Sequence, residues 1–317
     1  MAESPPCPAT FFAFTEMFPT EASCIDYIAR WRWPEGFECP GCGSSVATRL
    51  RTRPLWECRG CGRQTSVTAG TALEHTKVPL RVWVYALWLV GRRKKGTSAK
   101  QFQRETGIGS YRTALYLLHK VREVLGEVDA YPLAGVVELD DTILPGKGMG
   151  PGKRLGKGGA FILAGVERRV FQDKRGRPLP GSGSARAYVA PTVDQDAVGG
   201  FAEACVQEDA RIVSDGGGPY LQLAEWGFHH DVHEQHATPA VSERHLRCVH
   251  RLFSNLKIWL NGTFHGVSLK HLPRYIDEFI YRFNRRFHDP RIFGFLVRRL
   301  VRAPWTGIEA FTAEAST

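Results

Sequence analysis

The chain has 317 residues, 43% of them hydrophobic, with a formal net charge of +10 and a pI near 9.3. That length suggests about two domains with a large buried core, and the apolar content is ordinary for a globular protein. The basic excess points to a polyanionic partner, nucleic acid before membrane. Met1-Ala2-Glu3-Ser4-Pro5-Pro6 has neither a basic region nor an apolar run, and the dense apolar stretch from Val82 to Val90 is too short to cross a bilayer. A soluble, cytoplasmic protein is expected.

Residues 1–30 read as a helical lead-in. A zinc ribbon is expected over 31–72, because Cys39-Pro40-Gly41-Cys42-Gly43 and Cys58-Arg59-Gly60-Cys61-Gly62 form C-x2-C-x15-C-x2-C. Each knuckle needs a tight turn that brings two thiolates to one ion, and the glycines permit it. A disulfide or redox pair is the competing reading, and two matched knuckles favour zinc. With all four ligand positions filled by cysteine the ion is structural, and so small a core depends on it for folding. Cys7, Cys24, Cys205 and Cys248 follow no such pattern and read as plain thiols.

Residues 73–130 are expected to be helical. Pro79 suits a helix start, and Val82, Tyr85, Ala86 and Leu89 mark a buried stripe, although the other face is apolar too. Ser98 to Glu105 gives a short second helix. After Gly107-Ile108-Gly109, Ser110 caps a third, whose apolar face is Ala114, Leu118, Val121 and Leu125. Tyr111, Arg112, Thr113 and Tyr116 lie near its exposed N-terminal half. Helix, glycine turn and helix with basic residues resembles a helix-turn-helix, so Tyr111 and Arg112 become candidate DNA contacts; a three-helix packing module is the plainer alternative.

From about Gly135 the pattern turns to strands, Val136–Asp140, Phe161–Glu167 and Ala187–Ala190. A helix over Val193–Cys205 follows, then a strand over Arg211–Asp215 and helices over Leu246–Leu260 and His271–Phe283. This order predicts an α/β domain with a mixed sheet over 134–290, and 291–317 reads as a C-terminal tail. The loop from Lys147 to Gly159, rich in Gly and Lys, lacks the context of a P-loop and reads as a basic loop beside an active site.

Two of these strands end in aspartate, Asp140 and Asp215. His250 and Lys257 stand seven positions apart on the expected helix, nearly two turns, and so share a face. Carboxylates at strand ends plus a metal-capable side chain on a nearby helix suit a hard divalent cation and phosphoryl transfer. Singly, each aspartate is more often a cap or turn residue, and a lone lysine a solvated one. The constellation carries the reading.

Several segments together resemble transposases of the ISXO-type insertion sequences. They are Arg32-Trp33-Pro34-Glu35-Gly36 before the first knuckle, Gln64 to Thr71, Val137-Glu138-Leu139-Asp140-Asp141-Thr142, Ser214-Asp215-Gly216, Asn261 to Ser268, and Tyr275 to Arg286. They follow the family's order over roughly residues 20 to 290. The resemblance implies an RNase H-like DDE domain with Asp140 and Asp215 as its first two catalytic acids. Where the family usually has glutamate, seven residues before Lys257, this chain has His250. Neutral imidazole can ligate a divalent metal but adds no negative charge, which favours Mn²⁺ over Mg²⁺ relative to a carboxylate. Glu243 and Glu278 are the other candidates for that third position.

The function expected is DNA transposition. Asp140, Asp215 and His250 would hold Mg²⁺ or Mn²⁺, and Lys257 a phosphate. Arg282, Arg285 and Arg286 would neutralise the backbone, and the ribbon and helical domain would bind the terminal inverted repeats. The partners are then double-stranded DNA, both element ends and target, and at least one further copy of the chain, at the nucleoid. Two other classes remain open: a catalytically impaired DNA-binding protein derived from a transposase, and an RNase H-like nuclease without strand transfer.

Overall fold

A computed structural model of the chain describes residues 4–126, 131–144, 159–232, 246–287 and 291–304. All but the last residue of the Lys147–Gly159 loop, and Glu243, lie outside them. The chain forms two compact units, Met1–Leu125 with Arg285–Thr317, and Gly126–Asn284. Among the described residues no helix is long and apolar enough to cross a membrane.

The first unit opens with helices α1 (Phe11–Met17) and α2 (Glu21–Arg32). Thr20 and Ser23 cap α2 reciprocally, which satisfies backbone donors that the first turn leaves over. Strands β1 (Ala47–Arg49), β2 (Leu55–Cys58) and β3 (Gln64–Ser66) form the antiparallel sheet of the ribbon. Helices α3 (Leu80–Arg92), α4 (Ala99–Thr106) and α5 (Tyr111–Glu123) follow. The stripe expected on α3 is only partly the buried one: Val82 and Tyr85 are half-exposed, while Trp83, Val84 and Leu87 are buried. A helix apolar all round is buried nearly all round.

Between α4 and α5, Gly107 takes the left-handed conformation (φ 70°) that ends the first helix, and Ser110 accepts the N–H of Thr113 to start the second. The expected stripe of Ala114, Leu118, Val121 and Leu125 is buried, and Tyr111 and Arg112 are exposed.

The stretch 291–317, read from the sequence as a tail, instead holds helix α9 (Ile292–Arg302) in this same unit. Its Ile292, Phe293, Leu296, Val297 and Leu300 are buried, and each such side chain contributes about 1.5–3 kcal/mol. Gly294 lets it approach Trp31 of α2, and Gly91 lets α3 approach Ile292 and Leu296. Arg299 donates to the carbonyls of Val124 and Leu125, closing the C-terminal end of α5.

The second unit is a five-stranded mixed sheet in the order β6-β5-β4-β7-β8, an RNase H-like arrangement flanked by helices. Strands β4 (Val136–Leu144), β5 (Ala160–Gln172) and β6 (Pro178–Ala190) run antiparallel in sequence. β7 (Arg211–Ser214) lies parallel to β4, and β8 (His229–Val232) parallel to β7. Alternation along β4 sends Val137 and Leu139 into a core with α6 (Gln195–Cys205), where Phe201 and Leu223 join them. The opposite face packs Ile162, Val166 and Val213 against α7 (Arg247–Phe264) and α8 (Leu272–Asn284). Each sheet face is therefore covered by helix.

Gly165 is paired with Leu139, and a Cβ there would lie 2.8 Å from Leu133 and 3.1 Å from Phe201. Gly165→Val should cost about 1–3 kcal/mol through overpacking under α6. Denaturant midpoints measure this, and an unchanged midpoint would mean that the α6 layer yields freely.

Candidate active site and metal centre

One face of β4 meets α7 at three successive levels. Glu138 accepts the backbone N–H groups of Cys248 (2.6 Å) and Val249 (2.9 Å). Asp140 Oδ2 lies 3.0 Å from His250 Nε2, and Thr142 Oγ1 accepts from Lys257 Nζ at 2.7 Å. Residues 138, 140 and 142 point the same way because side chains alternate along a strand.

The lowest level is structural. Helix α7 begins at Leu246, which offers no side-chain cap, and has no acidic residue in its first turn. Glu138, 1% exposed, supplies the missing acceptor from the neighbouring strand and puts negative charge at the positive end of the helix dipole. Its other oxygen takes Arg168 Nε at 2.7 Å, so the buried carboxylate is paired as well as hydrogen-bonded. Sequence reading passed over Glu138: the helix end it caps lies more than a hundred residues away, and only its place two residues before Asp140 puts both on one face.

Asp215 follows β7 directly. The register pairs Glu138 with Val213, so two residues further along the parallel strands Asp215 falls at the level of Asp140. Its Oδ1 accepts the N–H of Gly217, and Gly216 adopts φ +75°, a turn that a side chain would strain. Beneath it, fully buried Ser214 holds His230 Nε2 at 2.8 Å and the Gly216 N–H at 3.2 Å. Burial pushes the His230 imidazole below its ordinary value, which keeps that contact neutral.

Asp141 faces the other side of the sheet and accepts from Tyr220 at 2.8 Å. Burial raises its carboxyl above the usual range, with the charges of Asp140 and Asp215 adding to the effect and the Tyr220 hydroxyl opposing it. β4 runs on past Asp140 to Leu144, held by its pairing with β5, so Asp140 is not at the strand end expected from the sequence; the three carboxylates lie where the parallel pairing of β4 with β7 stops. Like charges so close favour a proton or a cation among them.

Above Asp140 opens a cleft of ≈ 560 Å³ lined by Thr142, Arg247, His250, Arg251 and Lys257, among others. The cations at its rim suit a polyanion. Glu278, the alternative third acid, is fully buried and faces Arg282 at 3.4 Å; it does not line this cleft. Arg282, expected on DNA, is itself largely covered, its side chain 15% exposed. Arg286 lies over Phe287 (4.5 Å to the ring centre), and Arg285 lies 6.0 Å from the ring of Phe295.

The ribbon gathers Cys39, Cys42, Cys58 and Cys61 with their sulfurs all within 4.8 Å, the one such cluster of three or more metal-capable groups among the described residues. Asp140, Asp215 and His250 do not close to that limit. The pairs Cys39–Cys61 and Cys42–Cys58 stand 3.6 Å apart. A tetrahedron with Zn–S of about 2.3 Å has edges of about 3.8 Å, so the spacing fits zinc, and it is far too long for disulfides. The two knuckles repeat each other: Gly41 N–H donates to Cys39 Sγ and Gly60 N–H to Cys58 Sγ, while Gly43 and Gly62 take φ near +70°. Desolvation opposes ionisation of Cys58, yet the N–H groups of Cys61 and Gly60 and the adjoining thiols bring it down to about 6. Donors aimed at sulfur favour the thiolate that zinc requires.

Residues 132–284 match the family model of the ISXO2-like transposase domain, and residues 19–64 match that of the transposase zinc-ribbon domain. The chain belongs to the ISXO-type insertion-sequence transposases. A protein in transposable element ISH50 of Halobacterium salinarum, itself uncharacterized, is 30% identical over 129 residues, 39% of this chain and 42% of that protein. The match thus spans less than half of that relative. In this ISXO-type chain the family segment 132–284 contains the whole β4–α7 seam, and the ribbon model takes in α2 as well as the cysteines.

Glu138→Gln should lower stability by about 2–4 kcal/mol, since it strips the charge from a buried, paired acceptor. It should also loosen His250 from Asp140. Chemical denaturation and the imidazole nitrogen NMR shifts of His250 test the two effects, and an unaltered His250 signal would separate the cap from the site. For the ribbon, the purified protein should carry a single zinc per chain. Cys58→Ser should lose the ion and unfold the ribbon while leaving the sheet unit folded. A fully formed ribbon after chelation would contradict this.

Proposed function

We propose that this ISXO-type chain is a DNA transposase that cleaves a phosphodiester at the element end and joins the freed 3′-hydroxyl to target DNA. The reading rests on one juxtaposition: Asp140 within β4 and Asp215 just after β7 fall at one level of two parallel strands, with His250 and Lys257 on one face of α7, beside a cleft rimmed with arginine.

Asp140, Asp215 and His250 are the residues that would hold a divalent cation, Mg²⁺ or Mn²⁺. The donor set fits by its chemistry, two carboxylates and an imidazole. The Asp140–His250 hydrogen bond uses the same Nε2 and Oδ2 atoms that ligation would use, so the two compete. Such a cation, when bound, stabilises charge on the attacking and leaving oxygens of an in-line displacement.

The other roles fall to side chains. Lys257, fixed by Thr142, holds a non-bridging phosphate oxygen, and Arg247 and Arg251 hold the flanking backbone. Tyr111 and Arg112, exposed at the start of α5, contact the terminal repeat with the ribbon, and Arg285 and Arg286 neutralise phosphates. Arg282 supports the fold through Glu278 more than it contacts DNA. Synapsis of two ends requires at least a dimer. The sheet of aspartates also suits a nuclease without strand transfer, and joined products distinguish the two.

Asp140→Asn and Asp215→Asn should each abolish cleavage and joining by at least about a thousandfold while end binding persists, because each removes a ligand and no phosphate contact. His250→Ala should fall strongly, and His250→Glu should retain or raise Mg²⁺-supported cleavage. Near-normal cleavage by either Asp variant, or a fully active His250→Ala protein, would remove that residue from the mechanism.

A further inference from the structure

The first unit contains a cleft of ≈ 720 Å³ that joins residues of the ribbon's family segment to helix α9, which lies outside both matched segments. Arg30 and Trp31 come from the last turn of α2, Trp33 and Glu35 from the residues after it, and Arg298 and Arg302 from α9. The three arginines are exposed, and none has an ion-pair partner among the described residues. Glu35 is the single acid against them in the lining.

We propose that this cleft is a second nucleic-acid site, in which the C-terminal helix α9 and α2 together grip the phosphate backbone of duplex DNA. Guanidinium groups match phosphate oxygens in fork geometry, and Trp33, with Arg32 over its ring at 4.8 Å, lines the wall beside them. Arg298 and Arg302 are four residues apart, about 6 Å along the helix, close to the rise of two nucleotides at ~3.4 Å each. Each can therefore meet its own phosphate. The site rests on the reading of the chain as a DNA-binding protein, and it gives the last helix a task that its position after the catalytic segment does not suggest.

The test uses the full chain with zinc bound and a duplex of arbitrary sequence, about 30 base pairs long, read by fluorescence anisotropy over a salt series. The double variant Arg298→Ala/Arg302→Ala should bind about tenfold more weakly at low salt, with the slope of log affinity against log salt reduced by about 1.8. Arg298→Lys/Arg302→Lys, which keeps the charge, should recover most of that slope. Both residues are exposed, so unchanged zinc content and thermal midpoint are expected. Wild-type affinity and slope in the alanine variant would overturn the site while leaving the transposase reading intact. Failure of the unaltered protein to bind any duplex would overturn both. Equal competition by polyglutamate of matched charge would make the cleft a general anion surface and overturn its assignment to DNA.

Discussion

The geometry of the catalytic-type unit depends on a carboxylate that does no chemistry. Glu138 is buried where β4 passes the N-terminal end of α7, and it accepts two backbone donors there while pairing with Arg168. An uncapped helix end in a protein interior would leave donors unsatisfied at about 1–3 kcal/mol each. That cost makes the contact hard to shift. Once the end is pinned, the helix rise of about 1.5 Å per residue sets the levels at which His250 and Lys257 arrive over Asp140 and Thr142. A small rotation of α7 would break all three contacts together.

The same economy of position governs charge. A protein of net +10 gathers three aspartates where β7 ends beside the middle of β4, and rings the cleft above them with Arg247, Arg251 and Lys257. Acids inside and bases at the rim suit a substrate that is itself an anion and reacts beside a cation. The sheet unit and the ribbon are stabilised differently. The sheet unit has two apolar cores, one on each face. The ribbon has three short strands and few buried side chains, and relies on its four cysteines.

Much of the architecture was legible in the chain. Short apolar runs marked β4 and β7, and β4, β5 and β6 proved longer than their apolar centres, since their ends extend into polar sequence that only strand pairing supports. The short β8 was missed, because His229-His230-Asp231 carries no β signal and is held there by its parallel neighbour β7. Helix α9 was read as a tail for a related reason: its apolar stripe has meaning only against α2 and α3, far back in the sequence. Glu278 was weighed as a ligand or a support of the site because it stands in the segment Tyr275 to Arg286, and it is buried against Arg282 and does not line the cleft.

The sequence by itself determined the chemistry available: four cysteines at zinc spacing, an aspartate on each of two strand segments, and a histidine and lysine on one helix face. These are local facts, set by spacing within a few residues and by the fixed periods of helix and strand. Tertiary structure decided which of those groups share a site. It brought His250 to Asp140 across 110 positions, gave Glu138 a helix end to cap, and set Arg298 and Arg302 opposite Arg30. Such pairings depend on which faces pack together, and no local pattern in the chain records that choice.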